Sequence, residues 1–92
     1  MKNYFRRVTL GERVATVCAV DEKETGTFKI GVAVKSKRDQ LVKKLGNKIA
    51  IGRAIKKPLT VINSSSLTTL VKDMGEIGMK ELSRVHAERD TK

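Results

Sequence analysis

Nine lysines and arginines stand between residues 35 and 57, in KSKRDQLVKKLGNKIAIGRAIKK, against a single acid, Asp39. Cations this dense and this unopposed point to phosphate as the ligand. A solubilising helix carries glutamates one turn away from its lysines, yet the next acid after Asp39 is Asp73. Like charges crowded on one element repel, and a polyanion would remove that cost. The balance is uneven along the chain as well. Residues 1–63 carry 15 Lys+Arg and 5 Asp+Glu, whereas residues 64–92 carry 5 of each, so all of the net charge of +10 belongs to the first two-thirds.

The residues that would contact nucleic acid are Lys35, Arg38, Lys43, Lys44, Asn47, Lys48, Arg53, Lys56 and Lys57. Arg53 leads them, because its planar guanidinium can hold a phosphate bidentately and its neighbours are small. Only Asn47 and Arg53 on the exposed arc expected below have the chemistry to read a base edge, so low sequence specificity is expected. Aromatics are limited to Tyr4, Phe5 and Phe28, and no RNP-type sequence is present. Both facts argue against a platform of stacked bases and for recognition of backbone and shape. Structured RNA is expected ahead of duplex DNA.

Other chemistry finds little support. The chain has one His and one Cys, and its ten acids are mostly isolated among cations. His86 lies at the edge of an apolar stripe and reads as a packing or surface residue. Cys18 alternates with Thr16 and Val20 and reads as a small core residue. Ser64, Ser65 and Ser66 read as loop and helix cap, with no base recognisable beside them. No Cys or His pair has zinc spacing. GNKIAIG, residues 46–52, lacks the glycine order of a nucleotide loop. The expectation is a protein that is not an enzyme and holds no metal or cofactor.

Ninety-two residues make one domain. With 39% apolar residues and three aromatics, the core must be built from Val, Ile, Leu and Ala, and pairing with a second copy is a natural way to bury more. One cysteine excludes an internal disulfide, and the basic start MKNYFRR runs into strand-like sequence instead of a leader's apolar stretch. Both fit a reducing cytoplasm. No apolar run approaches the roughly 18 residues that cross a bilayer, so no membrane partner is expected.

The elements that must position the cations are legible from periodicity. RVATVCAV and TFKIGVAVK are rich in β-branched residues, and DEKETG between them ends in glycine as a hairpin loop would. In the second run Phe28, Ile30, Val32 and Val34 share a core face, while Lys29, Gly31, Ala33 and Lys35 share a face expected to be open, where Lys29, Lys35 and Arg6 or Arg7 would extend the basic patch. Tyr4–Leu10 reads as a further strand turning at Gly11–Glu12. The basic helix is expected over about 37–56, with Ser36 and Asp39 as a weak capping box and Pro58 as its stop. At 100° per residue, Leu41, Val42, Leu45, Ile49 and Gly52 form the arc expected to pack on the sheet, with Ile51 and Ile55 beside it. Lys43, Gly46, Asn47, Ala50, Arg53, Ala54 and Lys57 form the arc expected to face outward. LTVIN could add a short strand. A charge-neutral amphipathic helix over about 66–88 then starts from a cap at Ser65 or Ser66; its Gly75 and Gly78 require a close contact or a bend. The class is therefore α+β. A small antiparallel sheet of two to three strands, over about 4–35, is packed by the basic helix and followed by a C-terminal helix.

Asp39–Lys57 resembles an element of the form KKxGxxIAxGRAxK found in small, mostly uncharacterised proteins of tailed bacteriophages. Lys43, Lys44, Gly46, Ile49, Ala50, Gly52, Arg53 and Ala54 are the matching positions, and the resemblance covers about a fifth of the chain. It implies an infected bacterial cytoplasm as the setting, and a host-modulating or counter-defence role. Nucleic-acid binding is the leading expectation. The alternatives are a protein-directed inhibitor of a host defence enzyme such as a toxin ribonuclease, and a structural or assembly protein.

Overall fold

Alternation of side chains builds the sheet. The computed structural model describes the backbone of residues 2–36 and 43–90 and the side chains of 2–35 and 47–85. Strands β1 (Lys2–Leu10), β2 (Arg13–Asp21), β3 (Thr27–Ser36) and β4 (Thr60–Asn63) pair antiparallel in the order β1-β2-β3-β4. Gly11, at φ 60°, makes the turn from β1 into β2, so that Leu10 faces Arg13. The next loop is held by Asp21, whose Oδ1 and Oδ2 accept the amides of Thr25 and Gly26 at 3.0 and 2.7 Å. Burial alone would raise the Asp21 carboxyl, but hydrogen bonds from the amides of residues 23–26 outweigh it and hold the group below its ordinary value.

The sheet has four strands, one more than the upper expectation. LTVIN pairs through Thr60–Asn63 with Ile30–Thr27. A run this short is undetermined in isolation, and the edge of β3 selects it. Pro58 ends α1 (Lys43–Lys56), and the Leu59 amide then donates to the Ile30 carbonyl at 2.7 Å, which docks the chain for β4. Residues 37–42, including Arg38 and Asp39, lie outside the described residues, while Ser36, the other half of the expected capping box, ends β3 opposite Arg13. Ser66 caps α2 (Leu67–Asp90), accepting the Thr69 amide on Oγ at 3.2 Å.

Both faces of the sheet are covered, contrary to the expectation that one stays open. α2 packs on one face, where Ala15, Val17, Ala19, Phe28, Ile30, Val32, Leu70, Met74 and Leu82 form the larger core. Its two glycines admit side chains of the sheet. A Cβ on Gly75 would stand 2.8 Å from the Arg6 guanidinium carbon, and one on Gly78 would stand 2.6 and 2.8 Å from methyls of Val8 and Val17. α1 covers the other face, where Cys18, Val20, Ala33, Ala50 and Ala54 form a second core. β2 is consequently buried on both faces.

Cys18 has no exposed surface, and burial pushes its thiol from 9.0 up to about 11. The thiol is therefore expected to ignore disulfide reagents at pH 8 in the native protein and to react promptly in denaturant. Between pH 9 and about 11 the unfolded thiol ionises while the folded one stays protonated, so the unfolded state binds fewer protons. Stability should fall through that window, which denaturant melts at successive pH values would read.

Candidate nucleic-acid interface

The basic helix meets the sheet through its small residues. Ala50 and Ala54 are fully buried, and the helix backbone lies directly over Gly31 of β3. A Cβ at Gly31 would come within 2.9 Å of Ala54 Cα and closer still to the Ala50 carbonyl oxygen and the Ala54 amide nitrogen. The expected facing is thus reversed for the described part of the helix. Ala50 and Ala54 belong to the arc assigned to solvent, whereas Gly52, assigned to packing, has nothing within 4 Å of where its Cβ would be. Ile49 and Ile51 flank the contact half-buried, and Ile55 is 41% exposed. The physical reason is close approach: Gly31 and two alanines let backbone touch backbone, gaining dispersion contacts along the whole interface that larger side chains would hold apart. Leu41 and Val42 lie outside the described residues, as does the side chain of Leu45.

That orientation distributes the cations. Lys48, Gly52 and Lys56, spaced one turn apart, form the ridge opposite Ala50 and Ala54, and both lysines are exposed. Lys57 is exposed at the end of the helix. Arg53 is exposed too, but it lies over the outer edge of β3, where its Nη1 donates to the Val32 carbonyl at 2.7 Å. The residue expected to lead phosphate binding therefore also ties the helix to the sheet. Asn47 is turned toward β1, and its Oδ1 accepts from Arg7 Nη2 at 2.8 Å, so the amide expected to read bases is tied to β1 at the surface. Lys43 and Lys44 open the helix, with side chains outside those described. Lys35 is half-buried on the α1 side of β3.

Strand parity sorts the remaining charges. Arg7 belongs to the α1 side, whereas Arg6 turns to the other side and donates to the Val71 carbonyl at 2.6 Å. Lys29, on the α1 side, is joined to Glu22 at 3.0 Å. The sheet thereby separates two surfaces. One carries Arg7, Lys35, Lys48, Arg53, Lys56 and Lys57, with no acid anywhere in α1. The other, on α2, sets Lys72, Lys80 and Arg84 against Asp73, Glu76 and Glu81, with Arg84 paired to Glu81 at 2.9 Å.

No family model, curated protein or solved structure matches the chain. Among the described residues no group of three His, Cys, Asp or Glu side chains is placed to hold a metal ion. No described helix is long and apolar enough to cross a membrane. The His86 side chain lies outside those described.

Sequence reasoning missed Phe5. It is 38% exposed on β1, on the same side of the sheet as Arg7 and α1. The signal was the parity of β1, which Arg6 and Arg7 obscured by placing a cation on each face.

Proposed function

We propose that this chain binds nucleic acid, RNA ahead of duplex DNA, through backbone phosphates, with low sequence specificity and without catalysing a reaction. The observation that carries the reading is the charge separation across the sheet: one covering helix is cationic without a single acid, and the other is nearly balanced, with four cations against five acids. Balanced charge is what solubility needs. A one-sided field is what a polyanion recognises. Lys48, Lys56 and Lys57 are the first phosphate ligands, since they are exposed and a solvated lysine gives up little when it meets a phosphate. Arg53, anchored to Val32, adds a fixed cation beside them. A phage-encoded host-modulating role fits this chemistry.

The test is a salt titration. If about six phosphates are neutralised, log K for a short RNA should fall with log salt at a slope near −4 to −5. A salt-independent affinity, or no binding to RNA or DNA at low salt, overturns the reading. A second purification treated with nuclease separates it from protein-directed inhibition of a host enzyme. Nucleic acid that copurifies with a high 260/280 absorbance ratio supports direct binding. A stoichiometric protein partner that survives nuclease supports the inhibitor.

A further inference from the structure

We infer that the α1 side of the sheet takes a single strand of nucleic acid in preference to a duplex, with one base stacked on Phe5. This rests on the nucleic-acid reading above and narrows it. Burial along β1 alternates strictly: Tyr4, Arg6, Val8 and Leu10 are half-buried toward α2, and Asn3, Phe5, Arg7 and Thr9 are exposed on the α1 side. On β2 the corresponding face, Val14, Thr16, Cys18 and Val20, is buried, with Cys18 and Val20 packed against Ala50 and Ala54 of α1. The helix therefore stops short of β1 and leaves a shelf one strand wide along its flank. Phe5 lies in the middle of that shelf and is part of neither hydrophobic core. The hydrogen bond from Arg7 to Asn47 marks where helix and shelf meet. One helical turn beyond Asn47 on that flank is Ile51, and two residues along β1 from Arg7 is Phe5.

Phe5, 38% exposed on the side of the sheet that carries α1 and its lysines, suits a base whose phosphates those lysines hold. Stacking on the exposed part of the ring accepts any base, because every base has a π-face, and the cations take the backbone. The carboxamide of Asn3, which can both donate and accept, is available to a base edge. Residues alternating along a strand stand about 7 Å apart, so the shelf from Asn3 to Thr9 is about 20 Å long and accommodates a short extended run of nucleotides. A duplex keeps its bases stacked inside and has none to give Phe5. Only an unpaired strand does.

The experiment compares a 12-nucleotide oligouridylate, its abasic counterpart and a 12-base-pair RNA duplex on the wild-type chain and on Phe5→Ala, Phe5→Trp and the double variant Lys56→Ala/Lys57→Ala. The wild type should hold the oligouridylate more tightly than the abasic strand or the duplex. Phe5→Ala should weaken oligouridylate binding about 5- to 100-fold and leave its salt slope unchanged, because a stack and no ionic contact is lost. The chain has no tryptophan, so in Phe5→Trp the single indole should be quenched by the oligouridylate and far less by the abasic strand. If Phe5→Ala lowers the melting temperature, the indole signal decides. Equal affinity of Phe5→Ala and wild type, or an indole indifferent to the base, overturns the inference. If the double lysine variant still weakens binding in that case, the phosphate reading survives alone. If the wild type binds none of the three, both have failed. A loss of dimer in sedimentation on Phe5→Ala, with oligonucleotide binding unchanged, would assign the shelf to a second copy of the chain and likewise overturn it.

Discussion

Gly31→Val should be the most damaging single substitution in this protein, costing about 3 kcal/mol or more and leaving it largely unfolded at 37 °C. The first added carbon alone collides with the Ala50 carbonyl oxygen and the Ala54 amide nitrogen, and both are backbone atoms of α1. No rotamer can relieve that clash; the helix must lift away. Lifting it exposes Cys18, Val20 and Ala33 together and strips Arg53 from the Val32 carbonyl. Thermal and urea melts should show the transition lost or its midpoint sharply reduced. Gly52→Ala is the control: its added methyl meets nothing within 4 Å, and a mid-helix glycine replaced by alanine should gain up to about 1 kcal/mol. If Gly31→Val melts like the wild type, α1 does not lie where its contacts put it.

Reversing the exposed cations should produce the opposite pattern. The triple variant Lys48→Glu/Lys56→Glu/Lys57→Glu should abolish binding to short RNA at physiological salt while leaving the fold intact. All three side chains are exposed, and such substitutions typically move stability by no more than about 0.5 kcal/mol each. Relief of repulsion within α1 could offset even that. Binding, by contrast, loses three attractive charges and gains three repulsive ones. At low salt, where residual binding is measurable, the salt slope should become shallower by about three units, one per lost phosphate contact. Arg53→Ala should affect both readouts, lowering the melting temperature through the lost bond to Val32 and weakening binding through the lost charge. Retained affinity in the triple variant would remove α1 from the interface.

These contrasts follow from which properties of a helix are local. The alternation TFKIGVAVK, the polar loop DEKETG ending in glycine, the stop at Pro58 and the serine cap of α2 each depend on neighbours a few residues away, and each was legible. So was the basic character of residues 43–57, since charge needs no partner to be recognised. The facing of that helix was not. Its large apolar residues and its small ones occupy different arcs, and hydrophobicity favours the first. What reversed the choice was Gly31, distant in sequence, whose missing side chain makes a seat for Ala50 and Ala54.

The amino-acid sequence by itself determined the strand and helix periodicities, the turns, the thin aliphatic core and a cationic segment without counterions, because propensity, alternation and charge act within a few residues. Tertiary structure alone decided that both faces of the sheet are covered, that β4 completes the sheet and that α1 turns its alanines inward. It also decided that Arg53 and Asn47 serve the fold as well as the surface, and that Phe5 is left partly exposed on the same side of the sheet as the basic helix. Those outcomes depend on how closely two backbones can approach and on how far a helix reaches across a sheet. Both are set by the size of side chains that meet only when the chain is folded.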